Sequence, residues 1–239
     1  MTVSPPSVSA VLPAFNEEAV ISDVVRSTAS ALARHVSRFE VIVVDDGSHD
    51  DTAELARNAV PDADVKVITH PFNRGYGAAL RTGFDAAGCE ATWLMDADGQ
   101  FDPADVGLLL PHYAADAVVA GRRIDRQDGA LRILNNRAFF GVVRGLFGSV
   151  AADVNCAFKL FPAAVGRGLR SDGAMISTEL LLRARRSGYR VVEVGVPHHP
   201  RRAGQATGSD PRVVMRAFGE LWRLRKDPSL LGTVPPPDA

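Results

Sequence analysis

The feature that most constrains the fold of this chain is an alternation of short apolar runs with longer segments of helical character. The run at 41–44 is apolar at every position, which is typical of a strand buried on both faces of a sheet. Strands separated by helices predict an α/β fold with a doubly wound, mostly parallel sheet of Rossmann-like topology. Five strands are predicted, at 8–12, 39–44, 65–69, 91–95 and 117–120.

The segments between these strands carry helix-start signals. Asn16 is expected to cap a first helix, and Glu17 and Glu18 then lie in its first turn, near the positive end of the helix dipole. Further helices are predicted over 51–59 and 76–87, and Pro103 is expected to open another.

The chain is long enough for one sizeable domain. Its 239 residues favour a single domain over 1–230 with an appended subdomain towards the C-terminus. The segment 231–239, with three prolines in a row, is expected to be a disordered tail.

A membrane-spanning helix needs about 18–20 apolar residues, and the sequence contains no such run. A basic leader is also missing and the two cysteines form no framework, so a cytoplasmic protein is expected.

Charge divides the chain into two halves. Residues 1–120 carry 7 Lys and Arg against 18 Asp and Glu, whereas residues 121–239 carry 20 against 10. An acidic half that holds a metal and a basic half that faces phosphates or an anionic membrane would explain this asymmetry. Opposite charges that pair across the fold explain it equally well. Nucleic acid is not favoured as a partner, because the basic residues are not interleaved with aromatic ones.

Polar residues follow the predicted strands, and in a doubly wound sheet ligands gather beyond the carboxyl ends of the strands. Among them Asp46 is the best candidate to accept a hydrogen bond from a base or ribose, although it could also serve as a turn former. The residues at these ends are Asn16, Glu17, Asp45, Asp46, Asn73, Arg74, Asp96, Asp98 and Arg122.

The segment WLMDADGQFDP at 93–103 carries the clearest chemical signal. Asp96 and Asp98 share a face of an extended chain, so their carboxylates repel each other unless a cation lies between them. Mg²⁺ and Mn²⁺ prefer oxygen ligands and leave room for substrate phosphates. The motif therefore predicts a metal–diphosphate site, with a solvated turn as the alternative.

The segment NRGYGAALRTG at 73–83 contains glycines that open a helix after a strand. It does not complete the dinucleotide-binding pattern, because position 80 is Leu instead of Gly. We interpret Gly75 and Gly77 as allowing close helix–strand packing and a tight loop, with Arg81 as a candidate phosphate contact.

The segments VLPAFNEE, VIVVDDGSHDDT, NRGYGAALRTGF, WLMDADGQFDP and AGRR occur in the order and spacing of family 2 glycosyltransferases with the GT-A fold. Two later segments, DVNCAFKLF at 153–161 and 179–207, resemble the dolichyl- or polyprenyl-phosphate hexose synthases of that family. The resemblance implies transfer of a hexose from GDP-mannose or UDP-glucose, with Mg²⁺ or Mn²⁺, to a lipid phosphate.

The same resemblance implies roles for individual residues. Pro13, Asn16, Glu17 and Asp46 match nucleotide-binding positions. Asp96, Asp98 and Gln100 match the metal site. Arg122 and Lys159 match positions that contact phosphate, although Lys159 replaces the more common Arg and so loses a planar two-pronged donor.

The acceptor decides whether the reaction needs a general base. An alcohol must lose a proton as it attacks, and Asp153 or Glu179 would then be the base; each could equally be a partner of a nearby Arg. A phosphate monoester, with a second pKa near ~6, is already ionised at pH 7 and needs none. Arg122, Lys159 and Arg202 would stabilise the departing diphosphate, and Arg202 lies in a predicted mobile lid.

Membrane contact is the last inference. Residues 131–150 combine apolar bulk with three arginines, as in a helix that lies in the membrane interface; a core helix with surface arginines fits equally well. Contact with the inner face of the cell membrane would bring a lipid acceptor to the site.

Two rival functions stay open: a soluble glycosyltransferase acting on a small alcohol, and a non-catalytic nucleotide-sugar- or membrane-binding protein. The sequence does not reveal the oligomeric state.

Overall fold

A computed structural model describes residues 5–61, 63–124, 141, 144–148, 150–173, 175–200, 219, 221–222, 225–226 and 231–235. Seven strands form one sheet in the order β3-β2-β1-β4-β6-β5-β7. The strands are β1 (Val8–Ala14), β2 (Phe39–Asp45), β3 (Val65–Thr69), β4 (Ala91–Met95), β5 (Ala117–Ile124), β6 (Phe158–Pro162) and β7 (Arg190–Pro197). Neighbouring strands are parallel except that β6 runs antiparallel to both β4 and β5. The sheet is therefore mixed, with a parallel half at β3-β2-β1-β4.

Six α-helices lie wholly within the described ranges. They are α1 (Ile21–His35), α2 (Thr52–Arg57), α3 (Tyr76–Ala86), α4 (Val106–Leu109), α5 (Ala163–Gly166) and α6 (Ile176–Arg186). A 3₁₀ turn at Pro103–Asp105 precedes α4, and the Asp102 side chain caps it by accepting from the Ala104 N–H. Pro103 therefore opens a helical segment, as predicted.

Two apolar layers cover the sheet, one on each face. On β2, Val41 and Val43 point into one layer while Ile42 and Val44 point into the other, because successive side chains of a strand alternate. The first layer includes α1, and the second includes α3 and α6. Burial on both faces explains why β2 is apolar at every position, and it confirms the doubly wound α/β prediction.

Several predicted boundaries were wrong. Strand β1 continues to Ala14 and so includes Pro13, and β5 continues to Ile124 and so includes Arg122. The first helix starts at Ile21, and no side chain caps it. Strands β6 and β7 were not predicted. The strands predicted at 65–69 and 91–95 agree with the structure, and β2 ends one residue later than predicted, at Asp45. Helix α2 starts one residue later than predicted, and α2 and α3 are shorter at their C-terminal ends.

The start of the expected disordered tail is packed against the domain. Leu231 and Val234 are buried, the Val234 N–H donates to Ser187 Oγ, and the Tyr189 hydroxyl donates to the Pro235 carbonyl. The prediction was wrong for 231–235, because apolar side chains there join the layer that contains α6. Residues 236–239 lie outside the described ranges.

Candidate active site

The loops after β1 and β2 are joined by hydrogen bonds between backbone and side chains. The Asn16 N–H donates to Ser48 Oγ at 2.9 Å, and Asn16 Oδ1 accepts from the His49 N–H at 2.9 Å. The Glu17 N–H donates to Thr52 Oγ1 at 2.8 Å, and Glu17 is buried. Asn16 adopts a left-handed backbone with φ 55°. It therefore fixes one loop to the other and does not cap α1, which corrects the prediction.

Asp46 anchors the loop that leads into α3. Its Oδ1 lies 2.7 Å from His70 Nδ1 and accepts from the Arg74 N–H at 2.9 Å, and its Oδ2 accepts from the Gly75 N–H at 2.8 Å. A carboxylate can only accept, so His70 Nδ1 carries the hydrogen of that bond. Asp46 is therefore a loop anchor in this structure, and a further contact with the nucleotide stays a prediction.

The two aspartates of the predicted metal site follow β4 directly. The Gln100 N–H donates to Asp98 Oδ1 at 3.0 Å, and the Tyr76 hydroxyl donates to Asp96 Oδ1 at 2.9 Å. Gln100 also pairs with His199: its Nε2 donates to the His199 carbonyl at 3.1 Å, and its backbone carbonyl accepts the His199 N–H at 2.8 Å. Gln100 therefore ties the segment that follows β7 to the metal loop. Its predicted role as a ligand is not tested by the structure.

Electrostatics marks the Asp96–Asp98 pair as a site of excess negative charge. Burial, followed by the charge of Asp98, raises the pKa of Asp96 to about 7. Burial and the charge of Asp96 also raise the pKa of Tyr76 well above its usual value, so its hydroxyl stays a donor. A proton on Asp96 and a bound cation are two alternative ways of relieving the same repulsion.

These residues fit Mg²⁺ or Mn²⁺. The Asp96 and Asp98 side chains both offer oxygen ligands. Within the described ranges, no group of three or more His, Cys, Asp and Glu side chains could hold a metal ion. Asp96 and Asp98 would supply two carboxylates to such a cation. Mg²⁺ is usually bound in this way, through one or two carboxylates and substrate phosphates.

The two expected phosphate-binding cations differ in exposure. Lys159 on β6 is fully buried, donates to the Cys156 carbonyl, and has a pKa that burial lowers. Its charge acts on Asp96 from inside the protein. Arg122 is exposed and lies inside β5 instead of after it. Direct contact of either side chain with a substrate phosphate stays a prediction.

Both candidate bases are occupied by protein donors. Arg123 holds Asp153 through Nε and Nη2 at 2.8 Å each, and both side chains are more than 90% buried. Glu179 is buried on α6 and accepts the N–H groups of Arg170 and Ser171, each at 2.8 Å. The alternative interpretation of Asp153, as the partner of an Arg, is therefore confirmed, whereas Glu179 binds backbone N–H groups.

Arg81 also has a structural partner. Its guanidinium donates to the Asp172 carboxylate and to the Arg170 carbonyl. It therefore holds the 170–172 loop against α3. Contact of Arg81 with a substrate phosphate stays a prediction.

The glycines of NRGYG have different neighbours from those expected. Gly75 has a φ of 99°, and a Cβ on Gly77 would lie 2.5 Å from the Asp172 carbonyl carbon. Gly77 therefore allows close packing against a loop. It is Gly83 that allows packing against a strand, because a Cβ there would lie 2.3 Å from a Val11 methyl group.

Two predictions fall outside the described ranges. Arg202 and its proposed lid are one of them. Most of the predicted interfacial helix at 131–150 is the other.

A comparison with protein families decides the identity of the chain. The model of glycosyl transferase family 2 matches residues 9–167, which include the ends of β1 to β6 but not the end of β7. This chain belongs to glycosyl transferase family 2.

Relatives of this glycosyltransferase include enzymes that act with polyprenyl phosphates. It is 28% identical to an undecaprenyl-phosphate 4-deoxy-4-formamido-L-arabinose transferase of Pectobacterium carotovorum, over 95% of this chain and 72% of the relative. It is 32% identical to glycosyltransferase AglD of Haloferax volcanii, over 81% of this chain and 33% of that relative.

Solved structures show the same GT-A architecture. Glucosyl-3-phosphoglycerate synthase of Mycobacterium tuberculosis superposes with a TM-score of 0.69 at 23% identity, covering 98% of this chain and 82% of that one. Mannosyl-3-phosphoglycerate synthase of Rubrobacter xylanophilus gives a TM-score of 0.68 at 17% identity, with coverages of 93% and 75%. Within the described ranges, no helix of this glycosyltransferase is both long and apolar enough to cross a membrane.

Three site residues escaped the sequence analysis: Tyr76, His70 and Arg123. Each acts through a partner distant in sequence: Asp96, Asp46 and Asp153 respectively. Tyr76 lies in the NRGYGAALRTG motif, but the roles predicted there were those of the glycines and Arg81. No local pattern distinguishes His70 or Arg123 from an ordinary surface residue.

Proposed function

We propose that this family 2 glycosyltransferase moves a hexose from a nucleoside-diphosphate sugar to a polyprenyl phosphate, with inversion at the anomeric carbon and with Mg²⁺ or Mn²⁺ at Asp96 and Asp98. UDP-glucose and GDP-mannose are the donors to test first. The names of the relatives support the acceptor, since they include undecaprenyl-phosphate sugar transferases. The fold neighbour from M. tuberculosis, which binds UDP with Mg²⁺, supports the donor side.

The observation that carries this proposal is the occupation of both candidate bases. Asp153 is neutralised by Arg123, and Glu179 accepts two backbone N–H groups. Neither carboxylate is placed to take a proton from an alcohol. A phosphate acceptor needs no such base, because its second pKa of ~6 leaves it ionised at neutral pH.

The reaction follows from this arrangement. An ionised phosphate oxygen of the acceptor forms a bond to the anomeric carbon as the bond from that carbon to the diphosphate oxygen breaks. The electron pair of the broken bond leaves with the nucleoside diphosphate. When bound, the cation supplies Lewis-acid neutralisation of that leaving group.

The protein residues have separate tasks in this reaction. Asp96 and Asp98 would hold the cation, and Asn16, Glu17 and Asp46 shape the loops that would receive the nucleotide. The exposed Arg122 would contact phosphate. The buried ammonium of Lys159 would offset part of the negative charge at Asp96 without leaving the interior.

A polyprenyl acceptor also implies a place of action. Its chain lies in a bilayer, so we propose that the enzyme meets the inner, cytoplasmic face of the cell membrane as a peripheral protein. Co-sedimentation with vesicles of anionic lipid, but not with neutral ones, is the expected behaviour, because the C-terminal half has an excess of basic residues.

A transfer assay tests the proposal. Purified enzyme with Mn²⁺ and a radiolabelled donor is offered undecaprenyl phosphate, undecaprenol or glycerol in the same detergent. Label is expected in the lipid extract with undecaprenyl phosphate alone. Transfer to undecaprenol or glycerol at a similar rate would instead favour an alcohol acceptor, and binding of donor without transfer to any acceptor would favour a non-catalytic protein.

A further inference from the structure

We propose that Tyr76 is a positioning residue for the metal site: its hydroxyl holds the Asp96 carboxylate in the orientation that binds the divalent cation. This inference rests on the proposed function, since it concerns the same cation. It also gives a role to the tyrosine of the NRGYG motif, which the nucleotide-binding interpretation did not use.

The contact itself is direct. The Tyr76 hydroxyl donates to Asp96 Oδ1 at 2.9 Å. A carboxylate oxygen has two lone pairs, so this bond leaves Oδ2 and part of Oδ1 for a cation. The terminal torsion of an aspartate is broad, and a fixed donor narrows it. Outer partners of this kind orient metal ligands in many proteins.

The backbone on both sides of Tyr76 is fixed by other residues. Before it, the Arg74 and Gly75 N–H groups donate to the Asp46 carboxylate at 2.9 and 2.8 Å. After it, the Gly77 N–H donates to the Asp172 carbonyl at 2.9 Å. Tyr76 is therefore held between two anchors, and its ring has little freedom to move away from Asp96.

The two glycines make this placement possible. Gly75 has a φ of 99°, a conformation that side-chain-bearing residues rarely adopt. A Cβ on Gly77 would overlap the backbone of Asp172 and Ser171, at 2.5 and 2.6 Å. The Gly-Tyr-Gly sequence thus serves to bring one hydroxyl to the metal loop: the backbone conformation of Gly75 and the lack of space at Gly77 each disfavour a larger residue.

The anchors are themselves supported by further side-chain contacts. His70 lies between Asp46 and Thr82, at 2.7 and 2.9 Å, and Arg81 binds the Asp172 carboxylate. A continuous series of contacts therefore joins the end of β2, where we expect the nucleotide, to the end of β4, where we expect the cation. Tyr76 is the last member of that series.

The test is the affinity for Mn²⁺ alone, measured by electron paramagnetic resonance of the free ion. Tyr76→Phe removes one oxygen atom and keeps the ring. We expect the Kd for Mn²⁺ to rise roughly 10–100-fold, the usual effect of losing an outer partner of a metal ligand. Affinity for metal-free UDP should stay unchanged, and turnover should recover when Mn²⁺ is raised.

Tyr189→Phe is the matched control, because that hydroxyl donates to the Pro235 carbonyl, away from the metal loop. It should bind Mn²⁺ like the wild type. An unchanged Kd in Tyr76→Phe, or a loss of turnover that added Mn²⁺ does not restore, would overturn the positioning role while leaving the proposed function intact. A wild type that binds no Mn²⁺ would overturn both.

A second measurement needs no variant that might fail to fold. The chain has three tyrosines, so wild-type protein labelled with 3-fluorotyrosine gives three fluorine signals. Mg²⁺ is expected to shift the Tyr76 signal and to leave those of Tyr113 and Tyr189 in place. Three signals that do not respond to Mg²⁺, in protein that binds it, would contradict the proposal.

Discussion

The buried ion pair between Arg123 and Asp153 gives the sharpest test of how this site is built. Both side chains are less than 10% exposed, and two of their three hydrogen bonds measure 2.8 Å. Asp153→Asn removes the negative charge and leaves the guanidinium buried without compensation. Breaking a buried pair in this way costs about 3–5 kcal/mol.

That cost converts to a measurable shift. In a domain of 150–250 residues, each kcal/mol lowers the midpoint of thermal unfolding by about 2–4 °C, so Asp153→Asn should unfold roughly 6–20 °C below the wild type. Circular dichroism during heating measures this directly. Removing both charges, in Arg123→Met with Asp153→Leu, should recover much of the loss, because no unpaired charge is then left inside.

A surface pair of the same geometry supplies the control. Arg190 binds Asp116 through two bonds of 2.7 Å, but both side chains are largely exposed. Asp116→Asn should therefore change the midpoint much less than Asp153→Asn. Equal shifts in the two variants would refute the argument from burial. An Asp153→Asn protein of normal stability that has lost transfer would instead restore Asp153 as a candidate base.

The remaining predictions concern the metal loop and α6. Asp98→Ala should abolish metal-dependent transfer with little effect on unfolding, and unchanged turnover with radiolabelled donor would reject the metal assignment. Because the pKa of Asp96 is raised to about 7, Mn²⁺ must displace a proton at lower pH; calorimetry should show affinity falling about ten-fold per pH unit below 7 and levelling above it. The raised pKa also means that the folded, metal-free protein binds a proton at Asp96 more tightly than the unfolded chain does. The stability from this proton is fully present below pH 3.8, the ordinary pKa that applies to the unfolded chain, and it is lost as the pH rises through about 7. Asp96→Asn should therefore unfold at a higher temperature than the wild type at pH 8 without metal, and an equal or lower midpoint would contradict this. Glu179→Gln should cost about 1.5–3 kcal/mol in urea unfolding, since a charged acceptor of two backbone N–H groups is lost, while Mn²⁺ affinity stays unchanged.

The parallel half of the sheet was predictable from the sequence because its signals are local. Strand β2 is buried on both faces and reads as a continuous apolar run, and acidic residues directly follow β4. Strand β6 was missed for two reasons. Its run is interrupted by the buried Lys159, and its antiparallel direction is set by pairing with β4 and β5. Neither the burial of a lysine nor the direction of a strand is recorded in residue spacing.

The candidate site was predictable in its position but less so in its contacts. Asn is a common residue at helix N-caps, yet the Asn16 side chain accepts a hydrogen bond from the His49 N–H in the loop after β2. Glu179 has the residue type of a base, yet it receives two N–H groups from the loop before α6. The folded chain brings polar side chains next to partners that are distant in sequence. Long-range hydrogen bonds are therefore the contacts of the site that local sequence patterns do not predict.

The most direct test of the central claim is whether one cation contacts both the aspartate pair and the diphosphate. Electron–nuclear double resonance of Mn²⁺ in the complex with UDP or GDP detects phosphorus nuclei bound through oxygen to the metal. The wild type should show strong phosphorus coupling that disappears from the protein-bound signal in Asp98→Ala. Coupling that is identical in the double variant Asp96→Ala with Asp98→Ala, or Mn²⁺ that binds the wild type without any phosphorus coupling, would contradict the account.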